Sequence, residues 1–248
     1  MEKLKHYNLF GIKIHNSTYE QILGAISTAI SSGNQLTICY ANANTLNLCT
    51  DRPELADNIA VFDLIHPDGI GINMALRFLF KSETNFQRIN GSDLYSELII
   101  RAIKYQWRIF IFGDSNATLD KIVSVCPALN LTGSQNGYDY QEDRLIKKIN
   151  SCNVDILLVG LGTPKQEEWI AENKSKIISK VIIAVGDGIK VFAGTKKRGP
   201  RFLQKIGFEW FVRFIYDPKR LWKRYFFGIP LFIFKVVKLK FINSKAGK

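Results

Sequence analysis

Asp68 is the residue whose setting in this 248-residue chain most suggests proton chemistry. It follows Pro67 and precedes Gly69 directly after an apolar run, so its carboxylate projects where a strand ends and can take a proton from a nucleophile. An Asp in that place also makes turns or caps the helix starting near Ile70, and residue types alone leave both roles open. Arg88, in Arg88-Ile89-Asn90-Gly91-Ser92-Asp93, is placed to reach the same cleft, although an Arg before a helix is ordinarily a surface charge. Gly162-Thr163-Pro164-Lys165-Gln166-Glu167 sets backbone amides and polar side chains at a helix start. That arrangement suits phosphate or sugar hydroxyls, and equally a Pro at the first helical position with solvated neighbours. Arg213, Arg220 and Arg224 recur at intervals of seven and four, on one helical face subject to a kink at Pro218. Arg is suited to bidentate contact with phosphate.

Other chemistries find no support. Neither Gly69-Ile70-Gly71 nor Gly160-Leu161-Gly162 continues into the third small residue of a dinucleotide-binding turn. There is no GxxxxGK[ST] loop, GxSxG elbow, HExxH helix or Asp-x-Asp triplet. His6, His15 and His66 are too scattered for a His-based metal site or triad, so neither metal nor cofactor is expected. Cys39, Cys49, Cys126 and Cys152 lack CxxC spacing and sit in apolar surroundings, which predicts reduced thiols in a cytosolic protein. The first residues carry no apolar h-region with a cleavage site and read as mature sequence.

The elements that must hold these residues alternate between short apolar runs and helical patterns, the mark of an α/β domain with a mostly parallel, Rossmann-like sheet flanked by helices. Strands are expected at Leu36–Ala41, Ile59–Ile65, Trp107–Phe112, Val154–Val159 and Val181–Val185. Ser17-Thr18-Tyr19-Glu20 fits a capping box opening a helix to about Ser31. Further helices are expected over Gly91–Tyr105, Ser115–Val125, Gln141–Asn150 and Lys165–Asn173, and the spacing allows two lobes meeting near residues 85 to 105. In such sheets ligands lie at the strand carboxyl ends. Loops beginning at His66, Gly113, Gly160 and Gly186 all fall there.

Charge divides the chain. Residues 196 to 248 hold 15 of the 34 Lys/Arg but 2 of the 22 Asp/Glu, so the net charge of +12 belongs to the tail. A near-neutral body over residues 1–195 is expected to hold the chemistry, and a basic, aromatic tail over residues 196–248 to meet an anionic partner and complete the site.

Taken together, Asn42 to Asn47, Pro67 to Gly71, Arg88 to Leu94, Gly133 to Tyr138, Gly160 to Glu167, and the tail segments Lys197 to Pro200, Gly207 to Trp210 and Pro218 to Tyr225 resemble the WecG/TagA/CpsF glycosyltransferases over residues 8 to 230, in order and spacing. The resemblance implies an inverting, metal-independent transferase. Its donor would be a UDP-sugar of the N-acetylmannosamine type or a related hexose. Its acceptor would be a polyprenyl-diphosphate-linked sugar in teichoic acid, capsule or exopolysaccharide assembly. It makes Asp68 the general base, places Tyr40, Asn42, Arg88 and Gln166 at the substrates, and gives Arg213, Arg220 and Arg224 the leaving diphosphate. Two positions depart from the family pattern: Tyr40 stands where a small hydroxyl residue is usual, and Lys190 where an Asp is common.

Phe226 to Phe234, followed by Lys235, Lys238 and Lys240, is too short and too charged to span a bilayer, which needs about 20 apolar residues. It is expected to lie in the interface with the lysines toward anionic headgroups, making the protein peripheral on the cytoplasmic face of a bacterial membrane and open to self-association away from it. Two other classes compete. A nucleic-acid-binding protein would use the same basic, aromatic segment but leaves Asp68 without a purpose. A catalytically inactive nucleotide-sugar module would follow from Tyr40 and Lys190.

Overall fold

Continuous apolar runs bury on both faces, and helices between them force parallel pairing. The computed structural model describes residues 4–80, 87–196, 199 and 209–246. The chain opens with an antiparallel hairpin, β1 (His6–Leu9) and β2 (Ile12–His15). There follow α1 (Tyr19–Ser32), β3 (Leu36–Ala41), α2 (Ala43–Asp51), α3 (Pro53–Ala60), β4 (Leu64–Pro67), α4 (Ile70–Leu79) and α5 (Gly91–Tyr105). Next come β5 (Ile109–Gly113), α6 (Asn116–Val125), β6 (Leu131–Gln135), α7 (Glu142–Ser151), β7 (Ile156–Gly160), α8 (Lys165–Asn173), β8 (Val181–Ala184) and the short α9 (Ile189–Phe192). The tail forms α10 (Glu209–Tyr216), α11 (Pro218–Lys223), a π-helical turn over Arg224–Gly228, and α12 (Ile229–Ala246).

Six strands make one parallel sheet in the order β4-β3-β8-β7-β5-β6. The α/β expectation holds, but the two halves are joined in one sheet because β8 pairs with both β3 and β7. Alternate strand residues supply the two cores. Cys39, Phe110, Leu157 and Ile182 face one side with residues of α2, α3, α4, α7 and α8. Ile38, Ile111, Leu158 and Ile183 face the other with residues of α1, α5, α6 and α9.

Several local expectations shift. The helix α1 is capped by Thr18 in a reciprocal box with Gln21, one residue later than the Ser17–Glu20 pairing. The run from Ile59 begins as helix: Pro53 opens α3, which turns Leu55 and Ile59 inward, and β4 starts only at Leu64. The edge strand β6 is polar and half-buried throughout, so no apolar run announced it. Cys39, Cys49, Cys126 and Cys152 are free thiols, the first two buried.

The tail packs onto the body. Phe232 and Val236 enter the core, and the Asn47 amide donates to the Gly228 carbonyl at 2.7 Å. Lys235 reaches Asp51 at 3.4 Å and the Thr50 hydroxyl, while Lys240 donates to the Leu79 carbonyl at 3.0 Å. Two of the three lysines expected to face lipid headgroups therefore anchor α12 instead.

At the sheet edge opposite the strand carboxyl ends, Asp155 joins three strands. It accepts from the Arg108 backbone amide (3.0 Å), from Arg108 Nε and Nη2 (2.9 and 2.8 Å) and from Lys180 Nζ (3.0 Å). Burial alone would raise its pKa, but hydrogen bonds from Arg108 and Lys180 outweigh it and hold the carboxyl well below the usual range. The stability this contributes is present above the unfolded carboxyl pKa and is lost as pH falls toward the folded value. Asp155→Asn is expected to cost about 2–3 kcal/mol at neutral pH. In denaturant titrations the gap from wild type should narrow as pH falls from about 5 to 2.

Candidate active site

The parallel sheet collects the loops after β3, β4, β7 and β8 at one edge. There Asp68 is half-buried, directly after β4, with its backbone amide donating to the Ala41 carbonyl at 2.9 Å. Gly69 takes φ +86°, a conformation few other residues accept, and turns the chain into α4. The sequence left Asp68 either to enter the cleft or to make a turn or cap α4. Its side chain does not cap α4; Oδ1 accepts instead from the Gly91 amide at 3.2 Å, at the start of α5. The amides of that helix N-terminus favour a negative charge. Asn90 caps α5 through the Ser92 amide at 2.9 Å. Tyr19, from α1, fixes the turn before it: its hydroxyl donates to the Arg88 carbonyl (3.4 Å) and accepts from the Asn90 amide (2.8 Å).

A cleft of about 550 Å³ opens over this turn, and Asp68, Arg88, Asn90, Asn42 and Arg224 line its polar end. Asn42 caps α2 by accepting from the Asn44 and Thr45 amides at 3.0 and 3.1 Å, which leaves its NH₂ as the group it can offer a ligand. Arg224 comes from the π-helical turn, so the tail meets the body's candidate base in one cavity. Arg213 lies in α10 and Arg220 in α11, with the chain breaking helix at Asp217 before Pro218 as the sequence suggested. The side chains of Arg213 and Arg220 fall outside the described residues.

Tyr40 and Gln166 form a second cluster, at the ends of β3, β7 and β8. Gln166 is fully buried. Its Nε2 donates to Glu167 Oε1 (2.8 Å) and the Tyr40 hydroxyl (3.3 Å), and its Oε1 accepts from the Gly186 amide (2.9 Å). Gly186 has φ +52°, and a Cβ there would stand 2.5 Å from the Tyr40 oxygen, so the bulky Tyr40 requires glycine opposite it. Burial, and then the nearby Glu167, push the Tyr40 hydroxyl up to about 12. The amides of Gln166, Glu167 and Glu168 already donate to the Gly162 and Pro164 carbonyls, which takes these three out of the phosphate cradle expected at the start of α8.

Sequence reasoning passed over Glu167. It has no exposed surface, and Oε1 accepts from Thr163 Oγ1 (2.9 Å) as well as from Gln166. Burial raises its pKa to about 7, only partly offset by the Gln166 and Thr163 hydrogen bonds. The other overlooked group surrounds Lys190. Asp187 pairs with Lys190 at 3.0 Å and Lys196 at 2.5 Å. Burial works against the Asp187 charge, but Lys196 and Lys190 hold its pKa well below the usual range. Lys190, at the departed position, thus has its counter-charge three residues earlier in the same turn. Among the described residues no group of three or more His, Cys, Asp or Glu is arranged to hold a metal.

The family model for the glycosyl transferase WecG/TagA/CpsF family matches residues 7–246. A protein of Staphylococcus aureus strain MRSA252 named N-acetylglucosaminyldiphosphoundecaprenol N-acetyl-beta-D-mannosaminyltransferase is 31% identical over 245 residues, covering 96% of this chain and 95% of its own. The protein of the same name from strain NCTC 8325 is 30% identical over the same shares.

A carboxyl that folding keeps protonated favours the native state below its folded pKa, and that advantage is lost as pH rises through about 7. Glu167→Gln keeps a carbonyl for both donors without the ionisation. The variant is expected to be more stable than wild type by about 1–3 kcal/mol at pH 9, and to lack the wild-type decline between about pH 5 and 8 in thermal melts.

Proposed function

The chain belongs to the WecG/TagA/CpsF glycosyltransferase family, and from that premise we propose an inverting transfer of N-acetylmannosamine, or a closely related sugar, from its UDP derivative to N-acetylglucosaminyl-diphosphate-polyprenol in teichoic acid or similar cell-surface polymer synthesis. The observation that carries this reading is the meeting of Asp68, Arg88 and Arg224 at the polar end of one cleft whose remainder is apolar. Family membership sets aside the nucleic-acid alternative.

In this mechanism an acceptor hydroxyl approaches Asp68, whose carboxylate accepts its proton as the oxygen attacks the anomeric carbon. The bond from that carbon to the UDP oxygen breaks on the opposite face, the electron pair leaves with UDP, and the configuration inverts. Arg88 and Arg224, with Arg213 and Arg220 from the same tail, neutralise the departing diphosphate. Asn42 offers its amide NH₂ to the sugar. Gln166 and Tyr40 act as positioning residues, holding the Gly186 turn from beneath. The aliphatic and aromatic surface of α12 and the turn before it, with Phe226, Phe227, Leu231 and Phe234 exposed, would rest in the bilayer interface on the cytoplasmic face. Among the described residues no helix is long and apolar enough to cross a membrane.

Asp68→Asn is expected to lower acceptor-dependent UDP release by about 10² to 10⁴ while UDP binding by calorimetry persists. Turnover equal to wild type would remove Asp68 from the reaction. Phe226→Ser with Phe227→Ser and Phe234→Ser is expected to release the protein from vesicles rich in anionic lipid in a flotation assay. Unchanged flotation would move the membrane contact elsewhere.

A further inference from the structure

Beyond its polar end, the cleft becomes a trough walled by two helices. Ile70, Met74 and Phe78 recur at intervals of four along α4, and Ile229, Ile233 and Val237 do the same along α12. Residues four apart lie one above another on a helix face, so each set is a continuous apolar stripe. The stripes do not close on each other: Met74 remains 63% exposed and Ile233 55%. The floor is solid, made by the buried Phe232 and Val236 of α12 against Ala75 of α4. A Cβ on Gly71 would meet Phe232 at 4.0 Å, so the two helices approach closely there. Lys240 on the Leu79 carbonyl holds α12 to the end of α4, and the Asn47–Gly228 hydrogen bond holds the turn before α12 to α2.

An open trough of this kind leaves apolar surface in water unless something covers it. Its contents are ordered: carboxylate, amides and guanidinium at one end, then only aliphatic and aromatic groups. We propose that the trough between α4 and α12 is the subsite for the proximal isoprene units of the acceptor, with the acceptor's head toward the polar end and the lipid leaving along α12. The proposal rests on the transferase reading for the identity of the head group, and adds where the lipid lies and how much of it the protein recognises. Each stripe spans nine residues, a rise of about 12 Å along the helix, room for about the first three isoprene units. Later units would pass the Lys240–Leu79 contact into the bilayer without being read by the protein. Because α12 also carries the outward aromatic surface, a lipid can slide sideways from the membrane into the trough without its chain crossing water.

The test needs no turnover. Dimethylallyl, geranyl, farnesyl and geranylgeranyl diphosphates are titrated onto the full chain by calorimetry, below their aggregation concentrations and without any UDP-sugar. Affinity is expected to rise about five- to tenfold with each added isoprene through farnesyl, then level off. Ile233→Gln, which makes one wall polar, and Met74→Trp, which fills the trough while keeping it apolar, are each expected to weaken farnesyl diphosphate at least about tenfold. Phe234→Gln, on the outer face, should keep the full length dependence. Affinity independent of chain length would overturn the proposal, as would farnesyl binding that survives both trough substitutions. Length-dependent binding with no transfer from any UDP-sugar would uphold the trough and overturn the transferase reading alone.

Discussion

Pairing of β8 with β3 on one side and β7 on the other decides the arrangement of everything at the candidate site. It unites segments more than 140 residues apart in one parallel sheet, so that all their carboxyl ends point the same way. It also brings the Gly186 turn under Tyr40 and against Gln166, where a single buried amide side chain serves three neighbours. Were β8 at an edge, the loops carrying Asp68 and Gln166 would each still form, but not side by side at the strand ends of one sheet. Asp155 and Asp63 secure the other end of the sheet: Asp155 through Arg108 and Lys180, Asp63 through the Thr37 amide and hydroxyl at 2.8 and 2.7 Å. The rigid side of the molecule is thereby opposite the side with the candidate chemistry.

Much of this was legible in the residues. The bounds of α5 and α8 were correct to the residue because strong start signals, Asn90 before Gly91 and Pro164 before Lys165, precede clean helical periodicity. The loops at Asp68, Gly160 and Gly186 were correctly placed at strand ends because apolar runs stop abruptly before them. What escaped had no local signature. The strand β6 is polar because an edge strand faces water on more sides. The hairpin β1–β2 alternates over only four residues in each strand, and α2 and α3 follow one another with the single residue Arg52 between them. The meeting of Arg224 with Asp68 was expected from family resemblance and charge, since 156 positions of chain carry no local clue to such a contact.

Burial divides the acids of the site by task. Asp68 is half-buried at the start of α5, with Oδ1 on the Gly91 amide and the residue facing the cleft. Glu167, a few side chains away in the interior, is enclosed and driven toward neutrality, and its hydrogen bonds all serve the scaffold. Asp187 is kept ionised by two lysines, one of them Lys190. Asp187 and Lys190 lie on the same short turn and neutralise one another there.

On the proposed function, the tail has two conflicting demands to meet. A helix that enters a membrane interface needs exposed apolar groups, while a helix that completes a catalytic cleft must be fixed to the body. In α12 the demands fall on different faces: Phe232 and Val236 pack inward, Lys235 and Lys240 pin the flanks, and Leu231 and Phe234 remain outside. The helix is consequently apolar nearly all round, which is why its sequence reads as a weak membrane segment and its amphipathic character is hard to see. Neither wall of the trough would exist without this division. The α4 stripe would be an exposed patch on the body, and the α12 stripe a length of interfacial helix. Set opposite each other, they would on the proposed reading convert surface that favours aggregation into a path from the bilayer to Asp68.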